Sequence, residues 1–226
     1  MDEIASPTHL GTHLDAPCHF AKGHACVGDI PAERLFSRPG YIIDITSKCA
    51  QDRDYALNAE DFASWIKQVG SVEDGAVILV RTGWSRYWPN RKDYFGLDAS
   101  NDSRHFPGVA PSAAKLMVST QGLKIYGLGI EGPSVDYGQS KDFQTHRILA
   151  KEDIFALENV GPSIAKLPSK DFLVTALPIR IDGASGSPVR IVIHSKSNSC
   201  DQLYLTYTLP LLIIALIPLV HYVMSP

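Results

Sequence analysis

The sequence is poor in several features that would assign it quickly. Its four cysteines, Cys18, Cys26, Cys49 and Cys200, include no Cys-x-x-Cys pair. That spacing argues against a cysteine zinc site, and so few thiols do not fix a redox compartment. No run of lysine or arginine occurs, and the net charge is -3. A nucleic-acid-binding protein would show a basic patch, so that partner class is excluded. Met1-Asp2-Glu3-Ile4 is acidic, unlike the basic and then apolar start of a signal peptide. Apolar stretches of membrane-spanning length are missing until the C-terminal end. What remains is 45% hydrophobic and 20% charged, the composition of an ordinary globular domain, and 226 residues suffice for one sizeable core.

Histidine, by contrast, is concentrated near the start. Within Ser6–Phe20, His9, His13, Asp15 and His19 all fall on odd positions. The even positions Leu10, Thr12, Leu14, Ala16, Cys18 and Phe20 are mostly apolar. Side chains of an extended chain alternate between faces, so one face would carry imidazole and carboxylate and the other would pack on a core. Those donors are the ligand set of zinc or manganese. Reach limits how many of them share an ion. His13 and His19 would lie roughly 20 Å apart in a fully extended chain, whereas metal–ligand bonds are about 2 Å. Either the chain bends at Pro17, or His19 acts outside the ligand set as a general acid or base. Gly11 lets the backbone turn so that His9 can come in beside His13.

Further along, residues 41–46, 76–84, 124–130, 171–181 and 190–194 read as strands. Residues 58–66, with Asn58 as N-cap, and the stretch from Pro111 to Val118 read as helices. Strands and helices in alternation predict an α/β domain. Residues 85–107 are polar and aromatic, and a connection of that length is expected to be a flap near a pocket. His24 is expected at the surface. A second cluster pairs His146 with Glu158, the latter inside the run 154–160, which is apolar apart from Glu158 and Asn159. An acid in such a run needs a partner, and either a basic side chain or a metal would serve. Residues 182–190 form a glycine-rich turn that lacks the lysine and helix of a phosphate loop.

The motif His-x-Gly-Thr-His-x-Asp-x-Pro-x-His, at His9–His19, resembles the cyclase-type metal-dependent hydrolases. That family includes the bacterial kynurenine formamidases and the isatin hydrolases. Arg81-Thr82-Gly83-Trp84, the stretch from Glu131 to Asp136, His146-Arg147-Ile148-Leu149, Glu158-Asn159 and the turn at 182–190 resemble the same family. The likeness therefore spreads over residues 6–194. It implies one α/β domain over residues 1–194, with a mixed β-sheet and flanking helices of the swivelling β/β/α type. It implies a metal held by His9, His13, Asp15, His146 and Glu158, with Asp15 and Glu158 shared if two ions bind, and His19 as the catalytic proton shuttle. The ion would be zinc, one or two, or manganese. The substrate would be a small aromatic amide or lactam, with kynurenine formamidase activity in tryptophan catabolism foremost, and a homodimer is the expected assembly. Family members carry more chain ahead of the motif, so this chain reads as N-terminally short. A catalytically impaired, metal-binding and membrane-tethered protein of the same fold is the alternative.

Residues 195–202 read as a polar linker. Residues 203–224 then contain no Asp, Glu, Lys or Arg. As a helix they would extend about 33 Å, enough to cross a bilayer core. The segment is expected to be a membrane span or a cleaved lipid-anchor signal, placing the protein at a membrane; without it the protein would be cytoplasmic.

Overall fold

The apolar run in the middle of the sequence becomes the middle of a sheet. The computed structural model describes residues 2–3, 5–99 and 103–196, and the backbone of Leu203–Leu205. Its strands are β1 (His13–Asp15), β2 (Arg38–Asp44), β3 (Ala56–Leu57), β4 (Ala76–Arg81), β5 (Gly108–Val109), β6 (Ile125–Ile130), β7 (Phe155–Glu158), β8 (Phe172–Pro178), β9 (Gly186–Ser195) and β10 (Leu203–Leu205). β4 is flanked in parallel by β2 and β6, and β7 continues the parallel run. A strand so placed is covered on both faces, which is why Ala76–Arg81 reads as continuous rather than alternating hydrophobicity. Ile78 and Val80 join Phe62, Trp65, Met117 and Leu149 from the helices Ala59–Val69, Pro111–Ser119 and Gln144–Ala150. Val77 and Leu79 face the other way, into a core shared with Leu14, Leu157, Phe172, Val174 and Ile191.

The sheet does not stay open. Its order is β1-β7-β6-β4-β2-β8-β9, and β1 pairs antiparallel with both β7 and β9. Three residues thus close a mixed seven-stranded sheet into a barrel, with β10 added beside β9. The expected α/β domain with a mixed sheet and flanking helices is what forms. Closure was not foreseen, because it joins residues near the start to residues near the end and leaves no local pattern.

Asparagine caps begin two of the helices. The Asn58 carboxamide oxygen accepts from the backbone N–H of Glu60 and Asp61, at 2.9 and 3.1 Å, starting the helix Ala59–Val69. Residues 85–107, expected as a flap, are partly helical. Asn90 caps the short helix Arg91–Tyr94, and Trp84, Tyr94 and Phe106 make a small core of their own. Cys18 and Cys26 are joined in a disulfide, bridging a loop whose return is marked by the Cys18 N–H donating to the Ala25 carbonyl. A search for metal-type cysteine spacing passes over such a pair.

The expected membrane segment lies outside the described residues except for Leu203–Leu205. Those three form strand rather than the start of a helix. Among the described residues, no helix is long and apolar enough to cross a membrane.

Candidate metal centre and active site

β1 delivers two of the expected side chains and its partner strand a third. His13 lies directly opposite Glu158 in the β1–β7 register, and His13 and Asp15 share one face of β1 while Leu14 enters the core. The chain then bends at Pro17 into a short 3-10 turn, Pro17–His19, which brings His19 back over the strand. Gly11, at φ +60°, turns the preceding segment so that the His9 ring stands 5.2 Å from that of His13. The helix Gln144–Ala150 supplies His146 from a separate part of the fold.

These side chains converge. His13 Nε2 lies 3.2 Å from Asp15 Oδ1 and 3.4 Å from Glu158 Oε2. His146 Nε2 lies 3.3 Å from Asp15 Oδ2 and 3.0 Å from Glu158 Oε1. His9 Nδ1 is 2.6 Å from Asp15 Oδ1. Two overlapping groups with metal-ligand spacing result, His13–Asp15–Glu158 and His9–Asp15–His19, with Asp15 common to both. The structure therefore does not hold His19 apart from the ligand-type residues; its ring is 4.3 Å from that of His9. His24, expected at the surface, keeps 31% of its side chain exposed and pairs with the exposed Asp153.

The second tier of contacts decides which ring nitrogen faces inward. His13 Nδ1 donates to the Gly11 carbonyl at 2.9 Å, leaving Nε2 toward the carboxylates. His146 Nδ1 donates to Asp136 Oδ2 at 2.6 Å, with the same outcome. Asp136 also accepts from the backbone N–H of Thr145 and His146, so one carboxylate both caps the helix and orients its histidine. Ser185 Oγ lies 3.0 Å from His9 Nε2, and a Cβ at Gly186 would overlap the His9 ring. Asn159, at φ 55°, donates from Nδ2 to the same Gly11 carbonyl. Asp136, Ser185 and Gly186 lie in stretches that resemble the family but drew no role of their own in the sequence, since no spacing rule marks a residue that acts through another. Glu131 is not among the ligand-type groups. Its carboxylate accepts from the Thr82 N–H and Ser85 Oγ, both at 2.6 Å, and so holds the Arg81-Thr82-Gly83-Trp84 turn against the end of β6.

Charge makes the same point. Asp15 and Glu158 are buried and face each other across imidazoles. Burial opposes the ionised form of Asp15, yet the hydrogen bonds from His13, His146 and His9 hold its carboxyl far below the usual range. Burial and the Asp15 charge push Glu158 up, and the bonds from His13 and His146 outweigh them and lower it. Burial likewise opposes charging of His13, but Asp15 and Glu158 carry its pKa up to about 10. Two buried carboxylates that face three imidazoles, with the Val135 N–H donating to Glu158 as well, make a cluster whose charge a cation would balance. Inward-facing imidazole nitrogens and carboxylate oxygens fit zinc or manganese.

The site lies on the floor of a cavity of about 810 Å³ whose walls include Phe20, Trp88, Tyr94, Phe95, Phe106 and Phe143. The region expected as a flap thus supplies much of the wall. A smaller space, about 140 Å³, adjoins it behind Trp88, Tyr94 and Asn159.

Comparison with known proteins gives the family. The profile of the Cyclase family matches residues 2–137, more than half of the chain. The chain belongs to the Cyclase family. It is similar to the isatin hydrolase of Roseibium aggregatum, with 30% identity over 80% of this chain and 70% of that protein. It is also similar to the kynurenine formamidase of Bacillus cereus, with 28% identity over 86% of this chain and 79% of that one. Among solved structures, isatin hydrolase A from Labrenzia aggregata bound to benzyl benzoate superimposes with a TM-score of 0.78 at 28% identity, covering 86% of this chain and 76% of the other. An isatin hydrolase bound to the product analogue thioisatinate gives a TM-score of 0.77 at 28% identity, over 84% and 72%. These relatives are hydrolases, and the chain is a hydrolase of the same family.

Proposed function

We propose that this protein hydrolyses the C–N bond of a small aromatic amide or lactam with the aid of a divalent metal, and that arylformamidase activity of the kynurenine formamidase type is foremost. The observation that carries the reading is the convergence of His9, His13, Asp15, His146 and Glu158 on the floor of an aromatic-walled cavity. These five would hold zinc or manganese, in one or two sites, with Asp15 common to both groups. A bound ion of this kind lowers the pKa of water to about 7 and polarises a carbonyl oxygen.

The remaining work falls to side chains of the chain. Desolvation at the cavity edge, with His9 and His146 adding to it and Asp15 opposing, holds the exposed His19 ring below the usual histidine pKa, which favours its neutral form. A neutral imidazole at the cavity edge can take a proton from the attacking water and return it to the departing nitrogen. Phe20, whose ring is 4.4 Å from that of His146, offers a face against which an aryl substrate can stack.

The test is a panel of aryl formamides and lactams assayed with purified protein loaded with zinc or manganese. Turnover that a chelator abolishes and added metal restores is expected. Tight metal binding with no turnover of any member would overturn the hydrolase reading in favour of a metal-binding protein that has lost catalysis. One geometric observation favours a second role for His19: a ring nitrogen lies within 4.8 Å of the donor atoms of His9 and Asp15. That reading makes it a ligand, and metal content of a His19→Ala variant separates the two.

A further inference from the structure

Tyr94 belongs to the wall of the cavity, yet its hydroxyl ends beside the floor. The ring is buried with Trp84 and Phe106, and Trp84 Nε1 donates to the Tyr94 carbonyl at 2.7 Å, which fixes where the phenol points. Two acceptors meet the hydroxyl: the Glu131 carbonyl at 2.7 Å and Asn159 Oδ1 at 2.8 Å. Burial, with Glu131 and Glu158 nearby, pushes the phenol well above the usual tyrosine range, so it stays a donor through neutral pH. Asn159 follows Glu158 directly. Its backbone N–H donates to the Gly132 carbonyl at 2.9 Å, and its carbonyl accepts from Thr12 Oγ1 at 2.7 Å. A φ of 55° is tolerated by asparagine and adopted freely by glycine. Glycine would serve the turn as well, so the carboxamide needs another explanation. Both of its ends are used. Oδ1 faces the Tyr94 hydroxyl, and Nδ2 donates to the Gly11 carbonyl at 2.9 Å. A carbonyl has no proton to give, which fixes the amide orientation, and its other lone pair takes the His13 Nδ1–H.

We propose that Tyr94 and Asn159 are positioning residues for His13. The hydroxyl holds the carboxamide, the carboxamide holds the Gly11 carbonyl, and the carbonyl holds the ring with Nε2 toward Asp15 and Glu158. Gly11 is exposed and precedes β1, outside the ladder that fixes the strand. Its carbonyl is a weak anchor for a ring unless something fixes it in turn. This rests on the reading of His13 as a metal ligand and adds a link between parts of the fold: the aromatic wall and the metal floor form one hydrogen-bonded unit. Such outer partners set ring orientation and with it the affinity of the site.

Two variants test it. Tyr94→Phe keeps the ring in its small core and removes only the hydroxyl. Asn159→Gly keeps the left-handed backbone and removes only the carboxamide. Each should lower zinc affinity by about tenfold or more in a competition titration against a chromogenic chelator. The double variant should bind zinc no more weakly than Asn159→Gly alone, because the hydroxyl acts only through the carboxamide. An equal loss from Tyr94→Phe in both backgrounds would show that Tyr94 acts through packing of the wall, and unchanged affinity in either single variant would break the chain of contacts; each result overturns the proposal. A second measurement needs no metal. In metal-free protein with isotopically labelled histidine, the His13 Nδ1–H should exchange slowly with water by NMR, and faster in both variants. If the unaltered protein failed to hold zinc, the metal reading would fall and the positioning role would be judged on this signal: faster exchange in Tyr94→Phe upholds it, and unchanged exchange refutes it.

Discussion

At His13 a single hydrogen bond decides what the ring can do. With Nδ1–H committed to the Gly11 carbonyl, only Nε2 is left to face Asp15 and Glu158. His146 is set in the same way by Asp136. His13→Ala is therefore expected to lose metal, as measured by elemental analysis. Replacing Asp136 by Asn keeps an acceptor near Nδ1 but removes the charge, and metal affinity should fall by about 10- to 100-fold, the usual cost of losing such a support. Unchanged affinity in a competition titration would mean that Asp136 serves only the helix N-terminus. His19→Ala should keep its metal and lose about two to four orders of magnitude in turnover; an emptied site would make His19 a ligand instead. At this scale the sequence was informative where residues act directly. His9, His13, Asp15 and His19 announced themselves by a shared register, and Glu158 by its solitude in an apolar run. Asp136, Ser185 and Gly186 did not, because each acts through another residue's ring and their distance along the chain from that residue follows no period.

Among the elements, the loop between Cys18 and Cys26 carries both His19 and Phe20, and the disulfide closes it. In the chain-entropy view a bridge over so short a loop contributes about 2–3 kcal/mol. Cys26→Ser should lower the denaturant midpoint accordingly. Because β1 lies outside the loop, metal content should hold while turnover falls, and equal loss of both would show that the loop also shapes the metal floor. Strands and helices were read well where one face or both faces bury apolar groups, as in β4 and Ala59–Val69. The short helix Arg91–Tyr94 escaped because it is little more than one turn and its signal, an Asn90 cap, is also a loop signal.

For the whole molecule, the cluster ties stability to pH in opposite ways with and without metal. In the metal-free protein the carboxyls of Asp15 and Glu158 titrate below their unfolded values, so their contribution is lost as pH falls through the folded pKa. His13 titrates above its unfolded value, so its contribution is complete below about 6.5 and fades as pH rises toward about 10. Maximum thermal stability is then expected on the acid side of neutrality. Metal requires neutral imidazoles, so the loaded protein gains stability as pH rises through the histidine range and its optimum moves above neutrality. Melting temperatures across pH, with chelator and with zinc, check this; parallel profiles would mean that the cluster does not bind the ion through these histidines. The mixed sheet and its flanking helices were legible as an order of elements, but barrel closure was not, since β1 meets β7 and β9 only in three dimensions.

That closure also sets a timetable. β1 leaves the ribosome well before its partners, since Glu158 and the strand that begins at Gly186 lie far downstream of it. An incomplete nascent chain holds His9, His13 and Asp15 without the partners that bury them. A growing chain can therefore offer an ion only a loose, solvent-washed fragment of the final site. A metal held by this set would be selected by the finished barrel, and the ions present at the moment of closure, rather than during synthesis, would determine which one is kept.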